Sequence, residues 1–371
     1  MDDVRAWQQL VNELYPESTA ASWDNVGLQV GDPDWPIDRV LVTLDVTHAV
    51  VDEAANHPNT LVLAHHPLLF RPLARLTPDT VAGRTALAAA TARVAVLAAH
   101  TNLDAATDGA GTSQPVADIL GLVDTRPLTT ADGPASHKLV TFVPEEHVDA
   151  VIDALAATGA GTIGDYERCS FRSQGIGTFT PGEGTDPHTG TIGEANSEPE
   201  WRVEMVVAGS SLSTVIRALE RAHPYEEVAW DLYPLVELPR PGLGIVGRLP
   251  TAMPLRAVAN VLRDELPSPH LRVAGERERL IHTVATVGGA GDSLIDAALD
   301  AGVDLCVTGD LRHHVTLDAL EMGMALIDAG HHGTEHAALA PWRDRLEAAA
   351  RERGLTASLV VSSVSTDPWS A

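Results

Sequence analysis

Three short segments bring together imidazoles and carboxylates, the side chains that ligate divalent transition metals. In LVLAHHPLLF (61–70) an apolar run ends in His65 and His66, followed by Pro67. In VAVLAAHTNLDAA (94–106) a second run ends in His100, with Asp104 four residues later. In LIDAGHHGTEHAAL (326–339) two pairs spaced by four compete, His331 with Glu335 and His332 with His336, and either pair could share one helix face. Adjacent side chains of an extended chain diverge, so His65 and His66 could each face a different ion. A carboxylate such as Asp104 can bridge two cations, which an imidazole cannot do. Each segment also has a plainer reading: an exposed histidine pair, an Asp capping a turn, a solvated helix start. All three follow apolar, strand-like runs, however, so their ligands could converge on one edge of a host sheet, where sites in open α/β sheets lie.

The elements that must position these residues are legible as alternation. Residues 37–45, 60–64 and 93–99 are short β-rich runs separated by Ala-rich helical stretches, Thr47 to Asn56 and Val81 to Thr91. The C-terminal third alternates in the same way, with strands in IHTVATVGGAG, VDLCVTGD, MALIDAG and TASLVVSSV between helices through SLIDAALDAG, VTLDALEMG and a last one ending near Gly354. Both ends therefore read as halves of one α/β unit. Between them the order is strand (138–144), helix, a Gly/Thr/Pro-rich hairpin-like stretch (176–193), strand, helix and strand, which is the order of a ferredoxin-like α+β module. The fold expected is a split α/β host, 1–136 and 239–371, with an inserted α+β domain at 137–238 whose exit is marked by PRPG (239–242).

The balance of 51 Asp plus Glu against 25 Lys plus Arg, a formal charge of −26 over 371 residues, disfavours nucleic-acid partners, because the basic footprint of such proteins is missing. From His137 to Leu238 there are 17 acidic and 6 basic residues, so the insertion is the more acidic part. Cys169 and Cys306 form neither a C-x-x-C pair nor a Cys/His knuckle, which excludes a disulfide framework and a zinc finger. The start Met1-Asp2-Asp3 is acidic where a signal peptide is basic, and no apolar run approaches the ~18 residues of a membrane span. A soluble cytoplasmic protein is expected.

Seven ordered stretches, SWDNVGLQVGD (22–32), LVLAHHPLLF (61–70), HTNLDAA (100–106), HPYEEVAWDLYPL (223–235), VGGAG (287–291), VTGDLRHH (307–314) and DAGHHGTEH (328–336), resemble the Nif-three-like dinuclear metal centre family. Its members are commonly labelled GTP cyclohydrolase 1 type 2 homologues. The resemblance implies metal positions at His65, His66, Asp104, His331 and Glu335, which selects between the two pairs left open above. It leaves His332 and His336 as neighbours, His100 as an outer or optional ligand, and Asp310 and His314 as candidate catalytic residues facing the same cleft. Asp24 and Asn25 are expected to shape a turn. The resemblance further implies a PII-like or CutA-like insertion, two divalent ions per subunit and a toroidal homohexamer.

Five N/O ligands without a thiolate suit zinc, iron(II), manganese or cobalt. Such a pair of ions would activate water for hydrolysis of a phosphoester or a purine-ring amidine. No P-loop pattern is present, and VGGAG alone reads as a strand-to-helix turn. The expectation is thus a metal-dependent hydrolase acting on a phosphorylated or nucleotide-like small molecule. The alternatives are a non-catalytic metal-binding or interaction protein of the same family and, less favoured by the charge, a nucleic-acid-binding ring.

Overall fold

The fold is that of a computed structural model describing residues 2–106, 109, 111–131, 136–164, 166–235, 240–267 and 271–369. Its strands of three residues or more are β1 (Gly27–Val30), β2 (Arg39–Thr43), β3 (Thr60–Ala64), β4 (Ala95–Ala98), β5 (Val123–Pro127), β6 (Ser136–Val143), β7 (Ser170–Phe179), β8 (Asn196–Ala208), β9 (Trp230–Pro234), β10 (Ile245–Pro254), β11 (Arg272–Ala274), β12 (Leu280–Ala290), β13 (Leu305–Gly309), β14 (Ala325–Asp328) and β15 (Ser358–Val361). The chain divides into two compact units, one made of 1–130 with 241–371 and the other of 131–240. The sequence-expected end of the insertion, 236–238 with Pro239, lies outside the described residues.

The first unit contains two main sheets rather than the single host sheet that alternation suggests. One has the order β1-β4-β3-β2-β15, and the other β11-β14-β13-β12-β10-β5. In the first, β4, β3, β2 and β15 run parallel, with register pairs such as Leu63↔Leu97 and Val42↔Leu63. In the second, β12, β13 and β14 are the parallel core, flanked by antiparallel strands. Alternation marks a strand but not its neighbours, and so cannot divide one set of strands into two sheets. The chain exchanges strands between the two: β5 from the first half joins the second sheet, and β15 from the end of the chain joins the first.

The central strands are continuous apolar runs because both faces are covered. Val40, Val42, Leu61, Leu63 and Leu97 pack with Trp7, Leu10, Trp342 and Leu346 of the helices Val4–Leu14 and Leu339–Arg353. Leu41, Val62 and Val96 point the other way, onto Val50, Val51 and Ala89 of the helices His48–Ala55 and Val81–Thr91. Those two helices begin where the Oγ1 of Thr47 and of Thr80 accepts a backbone N–H from the first turn. The second sheet alternates likewise: Val284, Leu305 and Ile327 meet Leu255, Val258 and Leu262, while Ala285, Cys306 and Leu326 meet Ile295, Ala298 and Ala319.

In the 131–240 unit the antiparallel sheet order is β9-β6-β8-β7. Val203, Met205 and Val207 pack with Val151, Leu155, Val215 and Leu219 of the helices Val148–Ala156 and Leu212–Ala222. By strand alternation Glu200 and Arg202 lie on the opposite face. The hairpin expected at 176–193 is present but longer: β7 starts at Ser170, and Phe179 pairs with Asn196 across a connection at 180–195. No helix among the described residues is long and apolar enough to cross a membrane.

Candidate metal centre

The sheet ends of the first unit deliver the polar residues. Beyond β3, the backbone N–H groups of His65 and His66 donate to the carbonyls of Thr43 and Leu44, so the β2–β3 ladder continues into the histidine pair. Beyond β4 come His100 and the short helix Thr101–Asp104. Beyond β14, Gly330 leads into the helix His331–His336, which puts His331 and Glu335 on the same side. The ligands thus come from two sheets, not from one sheet edge. Asp104 and Glu335 approach the Nε2 of His65 at 3.5 and 3.6 Å, and the second oxygen of Glu335 is 3.1 Å from the Nε2 of both His66 and His331.

Every imidazole facing this point is committed through its other nitrogen. The Nδ1 of His65 lies 3.1 Å from the Ala99 carbonyl, that of His66 2.9 Å from Asp45, that of His100 2.9 Å from Asp24, and that of His331 2.7 Å from Asp310. A proton on each Nδ1 leaves the Nε2 lone pair directed inward, as in metal-ligating histidines oriented by an outer acceptor. The Nε2 of His65 and Oε2 of Glu335 are buried and make no aligned hydrogen bond despite these close approaches. The Nε2 atoms of His66 and His331 face each other at 3.4 Å. Ligand atoms that converge on a shared point, two of them buried without an aligned partner, suit a cation at that point.

Ligand atoms lie mutually within 4.8 Å in two groups here, His65 with His66 and His100, and His66 with His331 and Glu335. A further group in the 131–240 unit comprises Glu146, His147 and His188.

The charges of the cluster are strongly coupled. Burial favours neutral His66, but Asp45 and Glu335 outweigh it and raise its pKa to about 10. Burial is likewise overcome at His331, raised to about 9 by Glu335 and Asp310, and at His65, raised by Asp104 and Glu335. Against burial, three imidazoles hold Glu335 well below the usual carboxylate range, whereas burial pushes Asp104 up. A divalent ion would take over the role of these protons.

The structure therefore brings together His65, His66, Asp104, His331 and Glu335, and places His100 beside them. Asp310, a candidate catalytic residue, reaches the cluster by holding His331, and does so from a backbone φ of 56°. His314 is exposed next to His313 at the start of the helix His313–Glu321 and does not line the cleft. His332 stacks on His336 at 4.9 Å, and neither belongs to the two groups of converging ligand atoms. Asp24 does more than shape a turn: it accepts from His100 and from both the N–H and hydroxyl of Thr101. Asn25 donates to the Leu69 carbonyl, tying down the loop after the histidine pair.

Two residues of the site are not evident from the sequence. Asp45 is visible as the last residue of IDRVLVTLD, but its partner is distant along the chain. Gly289 of VGGAG sits within β12 at φ 64°, not in a strand-to-helix turn, and a Cβ there would fall 2.0 Å from Oε1 of Glu335. Its N–H donates to Thr334, one residue from Glu335. The glycine is the cradle into which the carboxylate fits. Beside the cluster opens a cleft of about 1050 Å³ lined by His66, His100, His331, Phe70, Arg272 and Trp369 among others.

Two parallel-cored sheets whose strand ends converge on histidines and carboxylates define an α/β protein with a candidate metal centre. The chain belongs to the Duf34/NIF3 (NGG1p interacting factor 3) family, whose pattern matches residues 3–368. The GTP cyclohydrolase 1 type 2 homolog of Halalkalibacterium halodurans is 41% identical over 362 residues, covering 97% of this chain and 96% of the relative. That of Bacillus subtilis is 38% identical with the same coverage. Among solved structures, the Bacillus cereus protein related to NIF3 superposes with a TM-score of 0.69 at 35% identity, covering 100% of this chain and 99% of that one. Staphylococcus aureus protein SA1388 gives 0.72 at 27% identity, covering 100% and 98%.

Proposed function

We propose that the centre holds two divalent ions, with His65, His66, Asp104, His331 and Glu335 as ligands, and serves a hydrolase acting on a phosphorylated or nucleotide-like small molecule. The observation that carries this reading is the placement of Glu335. One of its oxygens faces His65, toward Asp104, and the other faces His66 and His331, as a carboxylate shared between two cations would. The ligand set of imidazole and carboxylate suits zinc, iron(II), manganese or cobalt. Bound there, such ions supply Lewis acidity and make water acidic enough to attack near neutral pH. The chain's part is to fix the ligands: Asp45, Asp310 and the Ala99 carbonyl hold the tautomers, and Gly289 leaves room for Glu335. The neighbouring cleft admits the substrate, and Arg272, whose guanidinium is paired with Asp328, presents a cation on its wall.

The name shared by the relatives, GTP cyclohydrolase 1 type 2 homolog, makes GTP one substrate to test. Purification without chelator, metal analysis and a panel of phosphoesters and GTP decide the matter. About two ions per chain and turnover lost in Glu335→Ala are expected; full turnover from metal-free protein overturns the reading. Persistent inactivity at full occupancy leaves the non-catalytic metal-binding protein in its place.

The strand and helix order of the 131–240 unit supports reading it as a ferredoxin-like, PII/CutA-like insertion at 137–238. The toroidal homohexamer implied by the family resemblance of the sequence is part of this reading, and light scattering tests it directly; a monomeric mass ends that proposal.

A further inference from the structure

The 131–240 unit contains a cavity of about 590 Å³ on the sheet face opposite its helices, sharing no residue with the metal centre. That is the size of small-molecule sites. Its floor is β7, where Gly175 leaves the backbone bare and Gly177 makes room for Glu200, and aromatic side chains of Phe142, Phe179 and Tyr225 contribute walls. The connection at 180–195 closes one side with Pro187 and His188, held by the Asp186 N–H donating to Glu226 and by Asn196 binding Thr191 and Glu194.

The lining includes Glu200, only 9% exposed. Its Oε1 accepts from the Tyr225 hydroxyl at 2.8 Å. Among the described residues nothing donates to its Oε2, which lies over Gly177 where any Cβ would sit 2.1 Å away. That oxygen opens into the cavity rather than being sealed in the interior, so its lone pairs are available to a ligand's N–H donors. The neighbouring cation does not serve, because Arg202 directs its Nε to Glu204 at 2.9 Å and its guanidinium over the Phe142 ring. The HPYEE stretch, which has no part in the metal centre, builds this site instead. Tyr225 supplies the hydroxyl, and His223, bonded to the Phe142 carbonyl, receives the Tyr225 N–H and fixes its position.

We propose that this cavity is a second binding site, for a planar organic cation of the amidinium or guanidinium class, with Glu200 as its counter-charge. Three independent features select that chemistry. The open carboxylate oxygen seeks N–H donors, and paired donors on a planar cation match a carboxylate best. The aromatic walls of Tyr225 and Phe179 attract a cation over their faces, while Phe142 already carries Arg202 over its ring. The surrounding segment, with 17 acidic against 6 basic residues from His137 to Leu238, concentrates cations and repels anions. The bare backbone at Gly175 gives a planar ligand a surface to lie on, next to the Glu200 carboxylate that occupies the space over Gly177.

Benzamidine is the probe, with benzoate as the control of equal shape and opposite charge, followed by ligand-observed NMR and calorimetry on the full chain. Benzamidine is expected to bind with about millimolar affinity or better, as suits so small a molecule. Phenylguanidine displaces it and benzoate does not. Glu200→Gln, which keeps the shape, weakens binding about tenfold or more through loss of the charge-assisted bond, while Glu335→Ala leaves it unchanged. No benzamidine binding, equal binding of benzoate, or undiminished binding to Glu200→Gln overturns the proposal. The charge selectivity is read on the unmodified protein, so the test stands even if a variant fails to fold.

Discussion

Two buried carboxylates, Glu335 in the first unit and Glu200 in the second, are handled in opposite ways. Glu335 is surrounded by three imidazoles, and their other nitrogens are pinned by Ala99, Asp45 and Asp310. Glu200 has one hydroxyl donor and an open oxygen beside a bare stretch of strand. The first arrangement fixes the direction of each ligand atom, as the proposed ions would require. The second, as proposed, would offer a charge and a surface and leave shape to the ligand. On these two proposals, rigidity of the surrounding partners, rather than burial alone, would separate an ion site from a site for organic molecules.

The contrast is testable from its strongest consequence downward. Removing the shared carboxylate with Glu335→Ala is expected to weaken metal binding by more than about 100-fold, since loss of an outer partner alone reaches 10–100-fold; near-normal metal content after dialysis would contradict it. Gly289→Ala attacks the same carboxylate from outside, through the Cβ clash and the left-handed backbone. It should lower both metal affinity and folding stability, the latter by roughly 1–3 kcal/mol, measured by metal titration and urea unfolding. Asp45→Asn and Asp310→Asn keep the ligands but loosen their orientation, so about 10–100-fold weaker binding is expected with an unchanged number of ions. A change in that number instead would make these residues ligands.

The pH dependence is a subtler discriminator. Without metal, His66 and His331 titrate near 10 and 9 in the folded chain, above the ~6.5 of an unfolded histidine. Their protonation therefore stabilises the fold fully below about pH 6.5, and that contribution is lost as the pH rises through 9 to 10. Chelated protein should lose thermal stability over this range, while the gain on adding zinc grows, because imidazole binds metal only when neutral. A zinc-induced shift in Tm that shrinks from pH 7 to 9 would contradict the assignment. The smallest effect is expected for Glu200→Gln, which should leave metal content unaltered.

Much of this is legible from residue order. The strands at 39–43, 60–64 and 95–98 and the helix Val81–Thr91 fall inside the runs that alternation marks, because buried parallel strands are continuously apolar and the helices between them are not. The histidines announce themselves by standing at strand ends. Spacing cannot decide between the pairs 331/335 and 332/336; in the structure it is His331 and Glu335 that meet His66, while His332 stacks on His336. Strand pairing is not legible, so two sheets look like one, and β5 and β10 carry no signal strong enough to mark them. Gly289 has the local pattern of a turn because what it accommodates arrives from a residue 46 positions later, and local pattern carries no trace of such an approach.

The distance along the chain between His66 and His331, 265 residues, also has a temporal meaning. A ribosome adding about 5–20 residues per second exposes the first histidines some tens of seconds before Glu335 exists. During that interval the nascent chain offers His65 and His66 with Asp45 and Asp104 but without the Glu335 carboxylate that reaches both. On the proposed reading, metal loading would be an event of the finished polypeptide, because a copy terminated before residue 335 would lack a ligand that the complete chain supplies.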